Sequence, residues 1–249
     1  VKSQHASVVT RFIHAIIPLF LVTFSACTSV HAADKAKRPK APPSSKGWAQ
    51  DFGVEKKTLA SSGRTRYFVL EPGFQLVLEG KSDKVIITVL DETKQIGKVT
   101  TRVVEEREEK KGKVVEISKN YFAICKNTGD VFYFGEDVDI YSKGKVVKHS
   151  GAWHAYEKNF RPGMMMPGAA SVGARYYQEI APGKALDRAE IVSITETFKT
   201  PAGTFKNCLK TKETSGLDPR ERCFKTYAPG IGLIQDEHLL LTKYGFIKK

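Results

Sequence analysis

Between Phe68 and Leu241 the chain is a succession of short apolar alternations cut by glycine-bearing turns, and a chain patterned this way folds as an antiparallel sheet. Phe74, Leu76 and Leu78 alternate with Gln75, Val77 and Glu79. Val85, Ile87 and Val89 alternate with Ile86, Thr88 and Leu90, so this strand is apolar on both faces and should be central. Three hairpins follow. Residues 99–104 and 114–117 flank the turn Lys110–Lys113, Tyr121–Cys125 and Val131–Phe134 flank Asn127–Asp130, and residues 140–141 and 146–147 flank Ser142–Lys145. The expected fold is mainly β, a curved antiparallel meander or incomplete β-barrel. Little helix is expected, at most a short one near Gly47–Asp51 or within 158–190. Residues 150–187 hold all three methionines among prolines and glycines and read as a long irregular loop, a kind of segment that often carries function.

The last quarter of the chain specifies a register. Val192, Ile194 and Phe198 share one face of a strand, and Phe205, Leu209 and Thr211 share one face of the next. Folding about Pro201–Ala202 sets Phe198 opposite Phe205 and Ile194 opposite Leu209, with both apolar sets on one side. A second fold at Ser215–Gly216 would set Cys208 opposite Cys223, close enough for a cross-strand disulfide. In that register Glu196, Asn207 and Arg222 face inward as a polar set on the concave side. They are the candidate polar anchors for an otherwise apolar ligand. Met164, Met165 and Met166 add adaptable apolar surface and complete the candidate ligand-binding set. Cys125, on a strand beside Ala123, reads as a small buried apolar residue.

The N-terminus reads as an export signal. Lys2 and Arg11 precede an apolar stretch from Phe12 to Phe24, and Val30-His31-Ala32 offers small residues for cleavage after Ala32. The stretch is shorter than the roughly 20 residues that span a bilayer and is interrupted by Pro18. Ser25-Ala26-Cys27 also resembles a lipobox, so Cys27 is the alternative processing point, as a lipid anchor. Residues 33–50, rich in Pro, Ser and Lys, read as a flexible tether, and 51–249 as a single β-rich domain. The expected location is periplasmic or extracellular. An oxidising compartment of this kind suits the disulfide. Of the formal net charge of +13, residues 1–32 carry +2 and residues 33–50 carry +4, leaving +7 on the domain. No stripe of bases interleaved with aromatics appears, and export makes nucleic acid a poor partner.

The search for chemistry yields little. His149 and His154, with Asp137 and Asp139 upstream, lack the close-spaced third ligand of a metal site. Residues 169–173 echo a nucleophile elbow around Ser171 but lack its first glycine. Glu105, Glu106, Glu108 and Glu109, beside the Lys110–Lys113 turn, read as an exposed hairpin end. No cofactor and no metal are expected.

The run Thr200-Pro-Ala-Gly-Thr-Phe-Lys-Asn-Cys208, followed by Tyr227-Ala-Pro-Gly-Ile-Gly-Leu233, resembles a family of uncharacterised exported bacterial proteins. These resemble lipoprotein-carrier-like folds, in which a curved sheet forms an incomplete barrel around an apolar concavity. The resemblance implies architecture and no catalytic residue. The leading expectation is therefore a non-enzymatic exported protein that binds a lipidic or other apolar small molecule, or an envelope protein, and meets the membrane only through a lipid anchor. The alternatives are an extracytoplasmic hydrolase using the 149–187 loop and a structural surface protein.

Overall fold

A computed structural model describes residues 47–218 and 220–247. The expected export signal with Ala32 and Cys27, and the expected tether up to residue 46, lie outside the described residues. A 3-10 turn at Val54–Lys56 precedes three two-residue strands, β1 (Leu59–Ala60), β2 (Gly63–Arg64) and β3 (Val69–Leu70). The meander read from the sequence then appears as β4 (Phe74–Glu79), β5 (Asp83–Ile96), β6 (Val99–Lys110), β7 (Lys113–Cys125), β8 (Val131–Ser142) and β9 (Lys145–His149). Each pairs antiparallel with its neighbour in the chain. The turn glycines Gly97, Gly112 and Gly144 all have positive φ, the backbone conformation that tight hairpins between twisted strands require.

The C-terminal half continues the pattern with β14 (Asp187–Thr200), β15 (Gly203–Ser215), β16 (Arg222–Ala228), β17 (Gly232–Asp236) and β18 (Leu239–Phe246). Strand β18 pairs with β4, joining the two halves into one sheet.

Residues 150–187 differ from the expected loop. They contain β10 (Trp153–His154), β11 (Arg161–Met166), β12 (Arg175–Tyr177) and β13 (Glu179–Ile180). Strand β11 pairs with β8 and β13, and β12 pairs with β14. The path thus runs from β12 through β14–β18, β4–β8 and β11 to β13. Its two edge strands, β12 and β13, are separated in the chain by Gln178 alone. The sheet curls into a nearly closed barrel with one unsealed seam. Gly163 makes the close approach at this seam, where a Cβ would overlap the Gln178 carbonyl.

Residues 58–70 cross one end of the barrel. The Thr58 carbonyl accepts from Lys126 N (2.9 Å), the Arg66 carbonyl accepts from Gly230 N (2.8 Å), and the Tyr67 hydroxyl donates to the Asn207 carbonyl (2.9 Å). These partners lie on three different walls, so the segment straps the end shut. Leu70 is fully buried behind it. The opposite end is formed by the β4–β5, β6–β7 and β17–β18 turns.

The register of the C-terminal hairpin is partly as expected. Phe198 lies opposite Phe205 and the turn falls at Pro201–Ala202. Asn207, with φ of 55°, then forms a bulge, so Glu196 lies opposite Cys208. The next pairing corrects the sequence reading. Leu209 lies opposite Tyr227 and Glu213 opposite Cys223. The connection from β15 to β16 is longer than a symmetric turn at Ser215–Gly216, and Gly216 N is held by the Leu186 carbonyl at 2.8 Å. The pairing is displaced by five residues, and an odd displacement reverses which side chains face inward. Cys223 and Lys225 therefore take the inward positions. Arg222 and Phe224 are exposed, Phe224 beneath the Lys210 ammonium at 5.0 Å. Cys208 and Cys223 stand several rungs apart, and Cys125, Cys208 and Cys223 are all free. The 208–223 disulfide is thus overturned. Denatured, unreduced protein should show three titratable thiols from this domain, and non-reducing peptide maps should lack a 208–223 fragment. Finding that fragment would refute the β15–β16 register.

Candidate functional site

Directly paired residues on adjacent strands share a face, so the lumen can be read rung by rung. One rung is Leu76, Ile87, Glu106 and Ser118, and the next is Leu78, Val85, Glu108 and Glu116. Val89, Val104, Asn120 and Glu136 form a third. Glu106 and Glu108 therefore point into the barrel and do not belong to an exposed hairpin end. They have the parity of Val104, and their partners Ile87 and Val85 are apolar. That parity was visible in the sequence, but the adjoining lysine-rich turn obscured it.

These side chains enclose a cavity of about 140 Å³. An apolar cavity of about this size is enough for a benzene-sized molecule. Toward the strap its wall is apolar, built from Phe68, Phe74, Phe122, Ile231 and Leu233. Phe122 stacks on Tyr133 with ring centres 4.7 Å apart. The remaining wall carries five carboxyl groups, from Glu106, Glu108, Glu116, Glu136 and Glu179, and one ammonium, from Lys225. Glu106 and Glu108 also line a smaller depression, of about 40 Å³, that runs past Asp236 and Glu237 to the exposed His238. The acidic part of the lumen thus adjoins the barrel end away from the strap.

Lys225 is held between Glu213 Oε2 (3.5 Å) and Asp236 Oδ2 (3.4 Å). Burial opposes its charge, but Asp236 and Glu213 outweigh that and raise its pKa well above the ordinary lysine value. The lumen acids respond in the opposite way. Burial, then Glu108, Glu106 and Glu136, pushes Glu116 up to about 9. Burial and Glu106 push Glu108 up to about 8. Burial also takes Glu136 up to about 8, against a hydrogen bond from Tyr133. Glu106 is raised by burial, and Glu179 is raised well above the carboxylate range by burial and Asp187. Glu179 is 3% exposed, and among the described residues its Oε2 has no hydrogen-bond partner.

Of the ligand-binding candidates read from the sequence, Met165 lines the cavity. Met166 is buried in the core and Met164 packs partly buried against it. Glu196, Asn207 and Arg222 do not line the cavity: Glu196 sits beside the bulge, and Asn207 and Arg222 are exposed. The polar wall comes instead from β6, β7, β8, β13 and β16.

The two histidines separate. His149 Nδ1 pairs with Asp139 Oδ1 at 2.6 Å on the surface. His154 lies outside the cavity in a network, with Nε2 2.9 Å from Asp137 Oδ1 and Nδ1 2.9 Å from Glu157 Oε1. Lys94 Nζ and the Tyr121 hydroxyl donate to the same Asp137, at 2.7 and 2.5 Å. Both ring nitrogens of His154 and both oxygens of Asp137 are met within this cluster, as in a structural network. Among the described residues no hydrogen bond joins Ser171 to either histidine, and no group of three or more His, Cys, Asp or Glu is placed to hold a metal ion. No protein-family model, no curated protein and no solved structure matches this chain, so its site rests on the barrel's own geometry.

Proposed function

We propose that this protein is an exported, non-enzymatic carrier that holds a small apolar or lipidic molecule in the lumen of its barrel. The observation that carries this reading is the lumen cavity, with aromatic and aliphatic side chains over the strap end and polar groups toward the other. Ligand sites of small molecules have this composition, an apolar wall that supplies affinity and a few convergent polar groups that fix orientation. The export signal supports action outside the cytoplasm, and the resemblance of the C-terminal motifs to carrier-like exported proteins supports the same reading.

Native mass spectrometry of the protein taken from its envelope or medium should show a co-purifying small molecule. Reloading should be blocked by filling the lumen. Val104, on the rung with Asn120 and Glu136, is the position to enlarge. Val104→Phe should lose at least about tenfold in affinity for a neutral apolar probe such as benzyl alcohol, with the far-ultraviolet circular dichroism unchanged. Equal binding by the wild type and a folded Val104→Phe would place the ligand elsewhere and sink the lumen reading.

A further inference from the structure

Five carboxyl groups face the cavity against a single ammonium, and that ammonium is already engaged by Glu213 and Asp236. Among the described residues, Glu106, Glu108, Glu116 and Glu179 form no ion pair. Glu179 adds an independent sign: its Oε2 is buried at the cavity wall and no donor reaches it. A buried carboxyl oxygen without a hydrogen-bond partner is costly, and native structures rarely leave one so. In the charged form of Glu179 this oxygen lacks a donor, and a cation in the cavity would supply both the donor and the balancing charge.

The geometry points to an organic cation as the occupant: a small apolar body carrying an ammonium group, with the body among Phe68, Phe74 and Phe122 and the N–H donors on Glu179 and the neighbouring lumen glutamates. This rests on the lumen reading above and names its ligand class. Lys225 does not repel such a ligand, because its two carboxylates neutralise it. A fatty acid would bring a sixth carboxyl group to five, with no free base to balance its charge. A metal ion is not the occupant the residues favour, since the lumen acids are not arranged as a ligand set among the described residues. The depression shared by Glu106 and Glu108 supplies an acidic approach on an otherwise basic protein, past Asp236 and Glu237. An acid-lined cleft of this kind concentrates cations by focusing the field.

The test is titration calorimetry of the full chain with three probes of one shape: benzylammonium, benzyl alcohol and benzoate. Benzylammonium should bind at least about tenfold tighter than benzyl alcohol. Its binding at pH 7 should release protons, seen as a heat that changes with the ionisation enthalpy of the buffer, because the cation draws the lumen acids into their charged form. Benzoate should bind most weakly. Glu179→Gln should weaken benzylammonium about tenfold more than it weakens benzyl alcohol. If benzyl alcohol binds as well as the amine and no proton is released, the cation inference falls while the apolar lumen stands. Tightest binding by benzoate also overturns it and assigns the site to Lys225. If none of the three binds, both readings fall. Proton release is measured on the wild type, so it decides the matter even if Glu179→Gln fails to fold.

Discussion

The thermal midpoint of the ligand-free protein should fall as the pH rises from about 5 to about 9. The responsible groups line or adjoin the lumen: Glu106 and Glu108 on β6, Glu116 on β7, Glu136 on β8, Glu179 on β13 and Asp187 on β14. Glu213, Lys225 and Asp236 face them from β15, β16 and β17, with Tyr133 and Tyr227 alongside. Burial raises the pKa of Glu108 and Glu136 to about 8 and that of Glu116 to about 9, from an ordinary value of 4.5. Between 4.5 and those values the folded protein holds more protons than the unfolded chain. The derivative of stability with pH is then negative. The stabilising protonation is intact below about 4.5 and is lost as the pH climbs through 8 to 9. Glu116→Gln removes one of these ionisations, keeps the shape and supplies hydrogen-bond donors. It should raise stability at pH 8 by about 2 kcal/mol and leave pH 5 nearly unchanged. Scanning calorimetry across the range checks both statements. A flat or rising wild-type profile would show that the lumen acids are already compensated.

Lys225→Met should be the most damaging conservative change in the lumen, costing about 3–5 kcal/mol at pH 7. The side chain is 13% exposed and pairs with two carboxylates that are nearly as buried. Methionine matches its length and apolar stem, so the loss isolates the charge. Removing one partner of a buried ion pair leaves the other charges desolvated without compensation, which is costlier than the pair itself is favourable. Urea denaturation at pH 7 measures this. A cost under about 1 kcal/mol at pH 7 would mean that solvent reaches Glu213 and Asp236 freely.

Where pairing partners are neighbours in the chain, the architecture was legible in the residues. The β4–β9 meander follows from period-two alternation and glycine turns, because a short hairpin constrains its own register. Phe198 opposite Phe205 was readable for the same reason: a two-residue turn at Pro201–Ala202 leaves one way to put both rings on one face. The Cys208–Cys223 pairing failed because the connecting loop is not symmetric. Its length is decided by contacts outside the hairpin, such as Gly216 N to Leu186, and an odd displacement turned Arg222 outward and Lys225 inward.

Strands β11 to β13 carried no local signal. Gly163 and Pro162 argue against a strand on propensity, yet each is paired, Gly163 with Tyr133 and Pro162 with Glu179, partners brought close by barrel closure. The lumen acids lie between these cases. The alternation of Val104, Glu106 and Glu108 was present in the chain, but whether their face is a solvated surface or an enclosed lumen depends on the sheet bending far enough to meet itself. By itself the sequence determined an antiparallel sheet and the order of its strands from β4 to β9, since alternation and turn geometry act over a few residues. Only the tertiary structure decided the closure, the β15–β16 register and the burial of five carboxyl groups around one cavity, because these depend on contacts between segments far apart in the chain.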